Sequence, residues 1–257
     1  MTNLKFYGRI FFGLGIVGIG ILHFFYPGIR PIIIPELTNI PAPLNFVGYF
    51  IGALLIFTGV IISIGKKHNT LSLLMGLAFL ILGVFIHLTY FLFSTGPFWI
   101  NLNKVLALSG GFLLISQINA PNPEHKVFSS LSKIAPIGMY LYAIMLYNFG
   151  LGHIMNVSAI SEIVPKYIPF PKFWTFIGGI ALMGAAISIF SKIMIEKIAF
   201  LLAIILFIWL FSLHVYYAIR FPNWQEGENF MGVFTCLAFC GIALIISQSN
   251  SGNKSTH

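Results

Sequence analysis

The chain has 257 residues, 58% of them hydrophobic and only 8% charged, with a mean hydropathy of +0.94. No soluble domain of this size carries so little charge, and at about 20 residues per membrane span eight spans leave room only for short connections and a tail. The formal charge of +8 comes from 14 basic residues scattered between apolar runs rather than gathered in a stripe, which excludes nucleic acid as a partner and leaves the lipid bilayer.

Stretches free of Asp, Glu, Lys and Arg run over 10–26, 44–65, 70–95, 105–120, 134–156, 173–191, 198–219 and 229–249, the fourth being the shortest. Their lengths suit helices that rise about 1.5 Å per residue through about 30 Å of hydrocarbon. They lack the alternating pattern of a barrel strand, and a lone strand in lipid leaves its backbone groups without partners. The expected class is therefore all-α, a polytopic membrane protein of eight transmembrane helices. Lys5 and Arg9 precede the first run as in a signal peptide, but no small-residue cleavage site follows, so this span is expected to be retained.

Basic residues in alternate loops set the orientation. One side collects nine of them (Lys5, Arg9, Lys66, Lys67, Lys126, Lys133, Lys192, Lys197 and Lys254), the other five (Arg30, Lys104, Lys166, Lys172 and Arg220). The bias places both termini in the cytoplasm, as in a bacterial inner-membrane protein, and puts loops 27–43 and 157–171 outside.

The polar stretch 119–133 divides the chain into similar parts. Gly20-Ile-Leu-His23 closes one span, Pro35 follows twelve residues later, and the loop ends Ile40-Pro41-Ala42-Pro43. Gly150-Leu-Gly-His153, Pro165 and Ile168-Pro169-Phe170-Pro171 repeat the pattern. His87-Leu-Thr-Tyr90 is matched by His214-Val-Tyr-Tyr217, and Leu-Ile-Ser-Gln at 114–117 by Ile-Ile-Ser-Gln at 245–248, at offsets of 130, 127 and 131. Four spans per copy is an even number, so the copies are parallel, related by an axis along the membrane normal. Short connections such as 65–69 join antiparallel neighbours, so each copy reads as a four-helix bundle. The expected organisation is a first repeat at 1–118, a cytoplasmic linker at 119–133, a second repeat at 134–249 and a disordered tail at 250–257.

The Gly-x-x-His span end, the loop ending Ile-Pro-x-Pro, the glycine-spaced second span and the His-x-x-Tyr of the third together resemble the DoxX family of small four-span membrane proteins, here in tandem. One departure stands out: where such proteins often carry a glutamate in the second span, this chain has Leu55 between Gly52 and Gly59, and Leu182 beside Gly179 and Gly184. The family includes a subunit of a thiosulfate:quinone oxidoreductase, so the resemblance implies a quinone- or lipid-binding subunit linked to extracytoplasmic redox chemistry. It is also distantly similar to eukaryotic cargo-receptor membrane proteins, which implies instead a non-catalytic scaffold holding an extracytoplasmic partner. A small-molecule or lipid transporter is a third reading.

The chain has no Asp, and none of the eight runs contains Glu, Lys or Arg, which disfavours carboxylate-coupled transport. The switchable groups left are His23, His87, His153 and His214, all expected near the outer ends of their helices. Imidazole titrates near neutrality, ligates metal or haem and hydrogen-bonds a quinone carbonyl, so His23 and His153 are candidate cofactor contacts, to quinone or alternatively to haem b. The i, i+3 spacing places Tyr90 over His87 and Tyr217 over His214, which makes these four the candidate catalytic, proton-relaying set. Each histidine has an equally simple structural role open to it, fixing a helix end by bonding a loop carbonyl. The apolar residues of the Pro-rich loops (Ile32, Ile33, Ile34, Ile163, Val164, Phe170) are expected to fold back as lids over a histidine-lined pocket. Trp99, Trp174 and Trp224 fit an interfacial belt, Cys236 and Cys240 fit helix packing, and Arg220, Glu226 and Glu228 fit a solvated loop.

Overall fold

A computed structural model describes residues 3–35, 45–93, 99–120 and 126–249, and among them all regular structure is helical. The chain crosses as α1 (Asn3–Phe25) and returns as α2 (Asn45–Ile64). Then α3 (His68–Ile81) runs through a π-helical turn, Leu82–His87, into α4 (Leu88–Phe93), and α5 (Trp99–Ser116) crosses back. Beyond the linker, α6 (Lys126–Ser132) and a 3₁₀ turn at Ala135–Ile137 lead into α7 (Gly138–Met155). The short α8 (Val157–Ser161) precedes α9 (Pro171–Ser191). Next, α10 (Ile195–Trp209) passes through a second π-helical turn, Leu210–Val215, into α11 (Tyr216–Arg220), and α12 (Glu228–Ile246) completes the set.

Among the described residues, eight continuous helical stretches are long and apolar enough to cross a membrane, and the protein is an integral membrane helical protein. All but the second begin before the matching charge-free run, because a helix extends as far as its backbone is hydrogen-bonded or capped rather than as far as its side chains are apolar. Arg9 thus lies inside α1, Lys104 inside α5, Glu196 in the first turn of α10, and Glu228 opens α12. This corrects the expectation that no span holds a charged side chain. Part of the linker is also helical, as α6. Residues 121–125, the Ile40-Pro41-Ala42-Pro43 loop end and the tail at 250–257 lie outside the described residues.

In lipid the spans gain little from hydrophobic burial against one another, so close backbone approach through small residues has to supply the contact. Paired glycines do this at several crossings. A Cβ on Gly20 of α1 would stand 2.7 Å from the Gly52 carbonyl oxygen of α2, and one on Gly150 of α7 would stand 2.7 Å from that of Gly179 in α9. Gly8 of α1 meets Gly241 of α12 in the same way, at 2.7 Å, and Gly110 of α5 abuts Gly138 at the start of α7. Packing therefore runs across the linker as well as within each set of four spans: α1 lies between α2 and α12, and α5 between α3 and α7, with α12 touching both α5 and α10. The centre is filled by Phe12 edge-on to Phe112, at 4.9 Å between ring centroids, and by Tyr142, whose hydroxyl donates to the Phe239 carbonyl at 3.0 Å. Cys236 and Cys240 are buried free thiols in this packing.

Candidate functional site

All four spanning histidines sit at the end of the bundle where α1, α4, α7 and α11 finish and α5, α9 and α12 begin. They fall into two groups. His23 and His87 border the first loop, whose described part is 26–35. His23 is fully buried, its Nδ1 within 3.0 Å of the Ile19 carbonyl one turn earlier and its Nε2 without a partner. His87 ends the first π-helical turn, and its Nε2 lies 3.1 Å from the loop carbonyl of Ile33. Ile32 and Ile33 are buried in the core, so this loop does fold back, but it fills the mouth rather than roofing a pocket.

The loop is also strapped to the segment before α12. The Tyr26 hydroxyl donates to the Pro222 carbonyl at 3.1 Å and to Asn223 Oδ1 at 3.2 Å. Its ring lies over Gly227, whose φ of +85° and missing side chain leave the space. Buried Arg30 completes the strap with Glu226 at 3.5 Å.

The second group is built differently. His153 bonds its own helix, Nδ1 to the Phe149 carbonyl at 2.7 Å, and lies parallel to Trp209 at 6.4 Å between centroids. His214, in the second π-helical turn, has no hydrogen bond among the described residues. Its Nδ1 faces Gly232 of α12, where an added Cβ would stand only 2.8 Å away. One turn before Gly232, Glu228 pairs with Lys104 of α5 at 4.0 Å, and both side chains are mostly shielded, 16% exposed for the lysine and 18% for the glutamate. Lys104 lies within Coulombic reach of His214. On the neighbouring face of α5, Asn103 accepts a bond from Asn148 Nδ2 of α7 at 2.8 Å and donates to the Trp99 carbonyl at 2.7 Å.

Several expectations change here. Glu228 belongs to a shielded ion pair instead of a solvated loop. Trp99, half-buried at the start of α5, packs edge-on to Phe149 at 5.6 Å, whereas Trp174 and Trp224 are exposed. The second loop does not close as a lid, since Ile163 and Phe170 are exposed. Two open surface pockets among the described residues, about 490 Å³ beside Tyr147, Ile187, Phe190 and Ser191 and about 160 Å³ beside Lys5, Gln117 and Met139, are lined by none of the four histidines. Tyr217 packs on Tyr216 and Phe221 at 5.3 and 6.1 Å between centroids. His23 is sealed in the core, and His153, held through Nδ1 by its own helix, lies beside Trp209.

Lys104 and Glu228 were hidden from sequence reading because each sits at the edge of a charge-free run. The signal that marks them is opposite charge at the same end of two spans. Compared with models of known families, with curated proteins and with solved structures, the chain matches none.

Proposed function

We propose that the protein is a membrane subunit that binds the polar head of an isoprenoid quinone, or of an amphiphile of similar shape, between α5, the second π-helical turn and α12. The observation that carries this reading is His214, an imidazole without a hydrogen-bond partner among the described residues, set against Gly232 and beside the Lys104–Glu228 pair. A quinone presents two carbonyl oxygens on a flat ring, and both accept hydrogen bonds, so a cationic donor and an imidazole N–H are the complement it needs. The ring supplies electron transfer when bound. The chain's own part is to hold it, with Lys104 donating to one oxygen, His214 placed to give or take a proton at the ring, and Glu228 keeping the lysine in place. π-Helical turns concentrate at functional sites because they re-aim a side chain out of the regular helical register, as this one does for His214. The positive-inside bias puts the site at the non-cytoplasmic leaflet, open to a redox partner on that side.

The DoxX-like duplication accounts for why there is one such site. At offsets of 130, 127 and 131, the Gly20–Gly52 crossing corresponds to Gly150–Gly179, and Gly8–Gly241 to Gly138–Gly110. Under the same correspondence the Asn103–Asn148 bond becomes Phe234 packed on Gly18, and Lys104 becomes Thr235. The copies have diverged, one interface polar and the other apolar. His23, His87 and His153 then act as fasteners of helix ends and loops.

The test is to purify the chain in mild detergent and identify what accompanies it by mass and absorption spectra. The expected result is about one quinone-like molecule per chain, lost from Lys104→Met and from His214→Ala. Bound amphiphile at unchanged level in both variants would overturn the assignment.

A further inference from the structure

The opposite end of the bundle carries a second polar group that this site does not use. Four buried side-chain atoms among the described residues have no hydrogen-bond partner, and three of them, Thr58 Oγ1, His68 Nδ1 and Ser72 Oγ, belong to the α2–α3 hairpin. Most buried polar groups are satisfied, so three unpartnered ones on the two helices of one hairpin ask for a partner outside the chain. Elsewhere in these helices hydroxyls bond back to a preceding carbonyl, as Ser63 does to Gly59, Thr175 to Pro171 and Thr235 to Met231. Thr58 and Ser72 do not.

The turn that joins these two helices is cationic and rich in donors. Arg9, almost fully buried, donates from Nη1 to the carbonyls of Ile62 and Ser63 at the end of α2 and rests on Gly65. The other edge of its guanidinium has no carboxylate among the described residues. Gly65 leads directly into exposed Lys66 and Lys67, and Lys67 enters α3 in the left-handed region, φ 50°, giving no side-chain cap to the first turn. The backbone N–H groups of that turn therefore remain available at the positive end of the helix dipole. His68 and Ser72 stand one turn apart on the buried face of α3, and His68 is within Coulombic reach of Arg9. Guanidinium, two ammonium groups, uncapped amides and unpartnered hydroxyl and imidazole atoms form a set that complements an oxyanion with several acceptor atoms.

We propose that this hairpin, with Arg9, binds a phosphate group at the end of the bundle opposite the histidines. The group comes from a lipid headgroup or from free phosphate, and full-length protein in dodecyl maltoside separates the two. Thermal unfolding is followed with added phosphatidylglycerol, with diacylglycerol of the same chains, and with inorganic phosphate. Stabilisation by phosphatidylglycerol alone assigns the lipid, and stabilisation also by inorganic phosphate assigns the free anion. Equal response to phosphatidylglycerol and diacylglycerol, without response to phosphate, overturns the proposal.

Two variants sharpen the test. Lys66→Gln with Lys67→Asn, the asparagine tolerating the left-handed backbone, lowers phosphate-group affinity by about fivefold for each charge removed. Ser72→Ala raises the melting temperature without ligand, because an unsatisfied buried hydroxyl is gone, yet shrinks the ligand-induced rise. Ligand-induced rises unchanged in both variants would contradict the proposal.

Discussion

Replacing Lys104 by Met leaves Glu228 facing a largely shielded environment without its cation, and the cost follows from the geometry. At 4.0 Å and an effective dielectric of about 20, the pair's Coulomb attraction is about 4 kcal/mol. Because roughly a sixth of each side chain still meets water, the stranded carboxylate recovers part of that, and the expected loss for Lys104→Met or Glu228→Gln is about 3 kcal/mol. The double variant strands no charge, so it should lie within about 1 kcal/mol of the parent, a coupling of several kcal/mol in a double-mutant cycle. Unfolding in mixed detergent micelles titrated with dodecyl sulfate measures all four proteins on one scale. If both single variants fall within 0.5 kcal/mol of the parent, the pair is a solvated rim contact and the proposed head-group site loses its electrostatic frame.

Two further outcomes follow from the packing and the histidines. Gly241→Leu pushes a side chain against Gly8 and to 2.6 Å from the Phe12 nitrogen, so it should cost about 3 kcal/mol, whereas Gly184→Leu, with open space around it, should be neutral in the same unfolding assay. His23→Leu removes a bond to Ile19 but also an unpartnered buried nitrogen, so stability should stay within about 1 kcal/mol and the bound amphiphile should be retained. Loss of that amphiphile would return His23 to the cofactor role its sequence position suggests.

The spans were legible in the sequence because hydrocarbon thickness and backbone hydrogen bonding leave few alternatives, and the gathering of four histidines at one end followed from helix order alone. What hid the site is a matter of edges. A charge-free run marks where side chains are apolar, but Lys104 and Glu228 continue their helices past that limit because each supplies the other's counter-charge and the lysine stem is itself apolar. Which histidine makes no hydrogen bond to the described residues through either nitrogen was not readable either. His23 and His153 share the Gly-x-x-His spacing and both bond the carbonyl four residues back, while His87 and His214 share His-x-x-Tyr yet differ, one tied to Ile33 and the other facing Gly232. That difference comes from the loops: the first is strapped through Tyr26 and Arg30 with the Ile33 carbonyl at His87, while the second is tied by Tyr167 to the Ser212 carbonyl and leaves Ile163 and Phe170 exposed, a tertiary outcome with no local signature.

A photoreactive quinone analogue carrying its diazirine on the ring tests the central claim most directly. After irradiation of the full-length protein and peptide mapping by mass spectrometry, label should fall on the segments around Lys104, His214 and Glu228, and excess unlabelled quinone should abolish it. Label confined to lipid-facing residues, or spread equally over the loops beside His23 and His153, would contradict a single site on α5, α12 and the second π-helical turn.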